Sequence, residues 1–266
     1  MNALKLIYFI TGMITFQASF GRGAPIKAQN PVPVSVISYE ITGDYPHDAA
    51  AFTQGLEMWG RDHFLESTGQ YGKSEIRKVQ VKTGKVIAFS PLEPHFFGEG
   101  AARIGGDVFQ LTWQEGQVLK WTFDSKLGFK LMKKIPLAGE GWGLTTGHGS
   151  LWVSSGTSEI VELNTSDLSI KRRINVTLMG RSQDKLNELE WVEGKIFANV
   201  WMTGSIVRIR PRSGIIDGII DISPLMPKGL SQDAVANGIA WDTGRHRLYV
   251  TGKFWPKVYE LRLKGL

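Results

Sequence analysis

Five short runs in this chain carry side chains that could meet at one point: Gln54-Gly55-Leu56, Glu99-Gly100-Ala101, Trp142-Gly143-Leu144, Asn187-Glu188-Leu189 and Asn237-Gly238-Ile239. Each sets a polar or aromatic residue before a position that is usually Gly, followed by an apolar residue that opens a strand-like stretch. The variable residues comprise one carboxylate, three amides and one indole. The ends of the strands that follow add Trp113, Trp201 and Lys253. Such a set is too poor in acids for a calcium cage, which wants several oxygen ligands. A lone Glu beside Phe96, Phe97 and several Trp has another use. Burial against aromatic rings disfavours its charge and raises its pKa, so it can accept a proton and return it. A structural Glu satisfied by backbone amides is the alternative.

The elements that position these residues follow from their spacing. The middle positions recur about every 43 to 50 residues, and each interval holds several short alternating strands, the pattern of a β-propeller. In a propeller, equivalent positions of every blade face one central axis. The fifth repeat has three strands (237–241, 247–251 and 257–263) before the sequence ends, which would leave an open edge. Residues 34–42 alternate apolar and polar and are expected to supply the fourth strand, closing the ring. The fold class is therefore all-β, a five-bladed propeller whose last blade is completed by the N-terminal strand. A short helix is expected over 182–189, and a helical turn within 224–236.

At 266 residues with 42% hydrophobic content, the chain can bury one sizeable core, and no linker or low-complexity run divides it. A single domain over 34–266 is expected. The absence of Cys excludes disulfides, thiol nucleophiles and thiolate metal sites. The five His (His47, His63, His95, His148 and His246) show no metal-binding spacing and read as surface or structural residues. The net charge of +6 comes from clusters such as Lys171 to Arg173 and Arg208, Arg210 and Arg212, which alternate with apolar residues or sit near turns. They read as solvated strand edges, and no nucleic-acid motif accompanies them. Lys5, the apolar run 6–16 and the small residues Ala18, Ser19 and Gly21 form the pattern of a secretory signal, with cleavage near 18–21 and a flexible lead-in over 22–33. The apolar run is short for a membrane span.

Nine runs in order carry a resemblance that covers nearly everything from 39 to 263. They include Phe52-Thr53-Gln54-Gly55, Phe97-Gly98-Glu99-Gly100, Leu111-Thr112-Trp113, Gly141-Trp142-Gly143-Leu144-Thr145, Leu186-Asn187-Glu188-Leu189-Glu190, Ala198-Asn199-Val200-Trp201 and Thr251-Gly252-Lys253-Phe254-Trp255. Together they resemble the plant and bacterial glutaminyl cyclases, the glutaminyl-peptide cyclotransferases. The resemblance implies a five-bladed propeller and an enzyme that closes N-terminal glutamine to pyroglutamate with release of ammonia. It implies peptide and protein substrates with N-terminal glutamine, no cofactor and no metal. It places the site on Glu99 as the catalytic residue, with Gln54, Phe97, Trp113, Trp142, Asn187, Trp201 and Lys253 binding substrate. Ala101-Ala102-Arg103 and Met202-Thr203-Gly204 depart from the family's usual wording beside the site. A secreted or periplasmic monomer without lasting membrane attachment is expected. The rival readings are a propeller lactonase or esterase, which would need several channel acids, and a non-catalytic binding propeller.

Overall fold

The structure, a computed structural model, describes residues 32–265; the signal pattern and most of the lead-in lie outside the described residues. Sheets built on four antiparallel strands follow one another along the chain; in the first four blades the first strand of each repeat is innermost and the fourth outermost, while the fifth blade takes its outer strand from the N-terminal segment. The inner strands are Thr53–Trp59, Gly98–Ile104, Leu144–Gly147, Leu186–Val192 and Ala236–Asp242. Each contacts the inner strand of the next blade, and the fifth contacts the first, so the ring is closed.

Apolar residues on the sheet faces form five clusters, one between each pair of neighbouring blades. Leu56, Phe64 and Val79 of blade 1, for example, meet Ala240, Tyr249 and Val258 of blade 5. Trp121, Trp152, Trp241 and Trp255 are buried in these seams, and each such large side chain contributes on the order of 1.5–3 kcal/mol or more by leaving water. The Gly of the repeated triplet serves the same packing. A Cβ on Gly100 would lie 2.4 Å from the Leu144 nitrogen, and one on Gly143 would lie 2.0 Å from the Asn187 oxygen. Neighbouring inner strands approach too closely there for any side chain.

The N-terminal segment closes the ring, in a register different from the one expected. The outer strand of blade 5 is Tyr39–Pro46, antiparallel to Lys257–Leu263. Ser35–Val36 instead adds in parallel to the outer strand Ile216–Asp221 of blade 4. Ile37, buried between blades 4 and 5, makes the crossing point. The segment therefore grips both blades. The short helix expected over 182–189 is absent: Arg181–Ser182 pairs in a small hairpin and Leu186–Val192 is an inner strand. Nearly every residue of that strand is buried, so the two-residue alternation that marks a strand is hidden. The turn in 224–236 appears as a 3-10 turn at Ser223–Leu225.

Past the closing strand, His47 enters a buried ionic cluster. Its Nε2 lies 2.8 Å from Glu66 Oε1 and its Nδ1 lies 2.6 Å from the Trp255 carbonyl. Both partners are acceptors, so both ring nitrogens carry hydrogen and the ring is an imidazolium. Burial pushes the His47 pKa down, but the Glu66 charge and these hydrogen bonds lift it above its usual value. Arg77 donates from Nε and Nη2 to the other Glu66 oxygen at 3.1 and 2.9 Å, and from Nη1 to Asp48 at 2.9 Å. The cluster ties the closing segment and blade 5 to blade 1.

Candidate active site

The chain enters each inner strand at the end of the ring where each second strand finishes, so both sets of side chains converge on one mouth of the central channel. Gln54, Glu99, Asn187 and Asn237 are each the second residue of their inner strand. In all four blades the ladder to the second strand slips at this point, between Thr53 and Gly55, Gly98 and Ala101, Leu186 and Leu189, and Ala236 and Ile239. A bulge of this kind turns a side chain away from the pleat and is common beside active sites. Here it aims the variable residue of the triplet inward. Trp113, Trp201 and Lys253 each follow the last residue of a second strand.

A pocket of about 310 Å³ is lined by Phe52, Gln54, Phe97, Glu99, Trp113, Trp142, Asn187, Trp201 and Lys253. The eight site residues that the resemblance implies are brought together, and Phe52 joins them. Asn237 does not reach the cavity; it stands behind Gln54, 2.9 Å from its Oε1. The walls are aromatic and interlocked. Trp142 meets Trp201 edge to face at 5.6 Å, and Phe97 meets Trp113 at 5.5 Å. Glu140, which sequence reasoning passed over, holds two of these walls, because its Oε2 accepts both the Trp113 and the Trp142 indole N–H at 3.0 Å. Its place two residues before Trp142 was the available signal. A wider cleft of about 530 Å³ between blades 3 and 4 is rich in Arg, but Arg172 is paired with Glu162 and Arg210 with Asp217.

Glu99 is 4% exposed and accepts a hydrogen bond from Gln54 Nε2 at 2.9 Å. Burial drives its pKa well above the ordinary carboxyl value; Lys253 opposes this, while Glu115 and Glu140 add to it. Lys253 is itself pushed down by burial against the pull of Glu99 and Asp233. Its Nζ lies 4.4 Å from the centre of the Phe52 ring. For both groups desolvation outweighs their mutual attraction, so both charges are weakly held. Asn187 Oδ1 is buried and has no hydrogen-bond partner among the described residues, although it lines the cavity.

Relatives share this arrangement of chain. The model of the glutamine cyclotransferase family matches residues 14–263. The chain belongs to that family. It is 39% identical over 230 residues to the glutaminyl-peptide cyclotransferase of Arabidopsis thaliana, covering 85% of this chain and 71% of that protein. The crystal structure of Myxococcus xanthus glutaminyl cyclase superposes with a TM-score of 0.80 at 33% identity, over 87% of this chain and 98% of that one.

One expectation about the channel needs correction. The pocket holds a single carboxyl, but the inner strands carry three more. Glu188 occupies the slot that is Gly in the other four triplets, and its carboxyl crosses to the backbone N–H of Leu56 (3.3 Å) and Ile239 (2.9 Å). Glu190 accepts from Trp241 N at 2.8 Å, and Glu57 from Arg103 N at 2.7 Å. These acids tie inner strands of different blades together. Among the described residues, no group of three or more acids or His is placed to hold a metal. Burial raises Glu188 and Glu190 well above the usual range and Glu57 to about 7, where Arg103 eases it down. A carboxyl whose folded pKa is raised contributes stability below its unfolded value and loses it as pH rises through the folded one. Glu57→Gln keeps an acceptor for Arg103 and removes the titration. Thermal unfolding of this variant should be flatter than wild type between about pH 5 and pH 8, with the variant the more stable at the upper end. An unchanged pH slope would show that Glu57 does not titrate in this window.

Proposed function

We propose that the chain, as a member of this family, converts the N-terminal glutamine of peptides and proteins to pyroglutamate and ammonia, with Glu99 carrying the one proton that must move. The observation that carries the proton role is a single buried carboxyl, met by one amide donor, in an aromatic cavity of a size for one terminal residue. The reaction is an intramolecular aminolysis. The α-amine attacks the γ-carboxamide carbon, a C–N bond forms, and the carbonyl oxygen becomes an oxyanion. Glu99 takes the proton that the amine loses and delivers it to the departing amide nitrogen. The old C–N bond breaks, the carbonyl reforms and ammonia leaves, so no proton is gained or lost overall.

The raised pKa of Glu99 suits this work. An α-amine has a pKa of roughly 7.7–8.0, and raising a carboxyl above its ordinary range narrows the gap a proton must cross between the two. A neutral acid beside a neutral amine holds the same number of protons as a carboxylate beside an ammonium; from that state the acid protonates the departing nitrogen and, as the carboxylate so formed, takes back the one proton that the attacking amine loses. Trp113, Trp142, Trp201 and Phe97 favour the curled conformer and keep water from the carboxamide, which limits deamidation. Asn187 Oδ1, an acceptor without a partner among the described residues, suits the N–H of the substrate amide. Lys253, across the cavity and electrostatically coupled to Glu99, suits the developing oxyanion.

Ammonia release from a Gln-initiated dipeptide tests the activity directly. Dialysis against a strong chelator should leave the rate unchanged, because amides, indoles, one ammonium and one carboxyl offer a divalent ion little. Loss of rate that zinc restores would overturn the metal-free mechanism; no ammonia at all would overturn the activity. We also infer export to a secreted or periplasmic location from the pattern of residues 5–21, and the N-terminal mass of the mature protein decides it.

A further inference from the structure

Gln54 touches two groups that want opposite things from it. Its Nε2 donates to Glu99 Oε1 at 2.9 Å, and its Oε1 accepts from Asn237 Nδ2 at 2.9 Å. A side-chain amide can turn over about its last bond and exchange donor for acceptor with almost no change of shape. Turned over, Gln54 would show an oxygen to Glu99 and favour only the protonated acid. What prevents this lies one residue further back. Asn237 Nδ2 also donates to the Thr53 carbonyl at 3.0 Å. A backbone carbonyl can only accept, so Asn237 must turn its NH2 to that side. Its second hydrogen then meets Gln54, which must answer with oxygen. All three side chains are nearly inaccessible to solvent, with Asn237 at 0%, Gln54 at 3% and Glu99 at 4%.

We propose that Asn237 is a positioning residue that fixes the polarity of the Gln54 amide, so that Glu99 always meets a donor at Oε1 and exchanges its proton with substrate through Oε2. The inference rests on the proton role of Glu99 given above. The polarity runs from a backbone carbonyl through two amides to the carboxyl. The other charged groups that act on Glu99 are Lys253 from blade 5 and Glu115 and Glu140 from the blade 2 side, and the Tyr71 hydroxyl senses its charge. All four are unchanged by substitutions at 237.

Asn237→Asp places an acceptor where the donor was. Gln54 then turns its Nε2 to the introduced carboxylate and its Oε1 to Glu99, and the protonated acid gains. The acid limb of kcat should move up by about one pH unit or more, and the Glu99 carboxyl band in infrared titration, identified by its loss in Glu99→Gln, should move with it. A merely structural role for Asn237 would lower kcat and leave both titrations in place. The added charge is separated by a cycle in the Gln54→Met background, where at least half of the shift should vanish. An equal shift in that background, or no shift in either, overturns the inference. Should Asn237→Asp fail to fold, neutron diffraction of the wild-type protein decides the matter: deuterons on Gln54 Nε2 facing Glu99 support it, and the reverse orientation overturns it. Near wild-type turnover by Glu99→Gln would instead sink the shuttle, while the infrared titration and the neutron map would still judge the polarity.

Discussion

Replacing Glu99 with Gln should lower kcat on a Gln-initiated dipeptide by about 10²–10⁴-fold, the usual worth of a positioned general acid–base group. The substitution keeps the side chain's size, and its carbonyl oxygen can still accept the hydrogen bond from Gln54 Nε2. The Trp113 and Trp142 indoles remain fixed by Glu140, so their fluorescence should match wild type and show that the pocket is intact. KM should change much less than kcat, because the aromatic walls and the Asn187 acceptor still bind the terminal residue. The variant should also lose the pH dependence that Glu99 imposes. Retention of more than about a tenth of wild-type kcat would move the proton role elsewhere. Lys253, whose own pKa is depressed by burial, would then be the next residue to test.

The parts of the molecule that were legible from sequence are those imposed by repetition. Gly55, Gly100 and Gly143 recur because the next inner strand leaves no room for a side chain at that slot, and the residue before each is free to vary because it faces the cavity. That freedom made Gln54, Glu99, Trp142 and Asn187 readable as candidates. Depth was not readable. Asn237 holds the same slot as Gln54, yet its Nδ2 is drawn to the Thr53 carbonyl and it ends behind the pocket. Glu188 was visible as the exception to Gly, but its reach across the channel to Leu56 and Ile239 depends on two other blades. Contacts of that kind have no local pattern. The closing strand was misplaced for a related reason: Ile37 behaves in sequence like one more inward residue of a strand, whereas in space it is where the chain passes from blade 4 to blade 5.

Substituting Arg77 by Met should cost about 3–5 kcal/mol of stability, since it leaves Glu66 buried with one counter-charge in place of two. The side chains of Arg77 and Glu66 are 6% and 1% exposed, so water cannot replace the lost partner without opening the seam. Burial alone would raise the Glu66 pKa, but Arg77 first and then His47 and Thr53 hold it at about 2. A depressed carboxyl pKa gives stability that is complete above the unfolded value and is lost as pH falls through the folded one. The wild type should therefore lose stability steeply between about pH 4.5 and pH 2, and the variant, whose Glu66 titrates higher, should lose less over that span. The two unfolding curves converge in acid. His47 acts in the opposite sense, since its raised pKa contributes below about 6.5 and fades as pH rises past its folded value. Equal destabilisation of the variant at every pH would mean that Arg77 matters for packing rather than charge. Convergence in acid would instead locate the closure of the ring in one ionic knot, where the N-terminal strand, blade 5 and blade 1 meet at His47, Trp255 and Glu66.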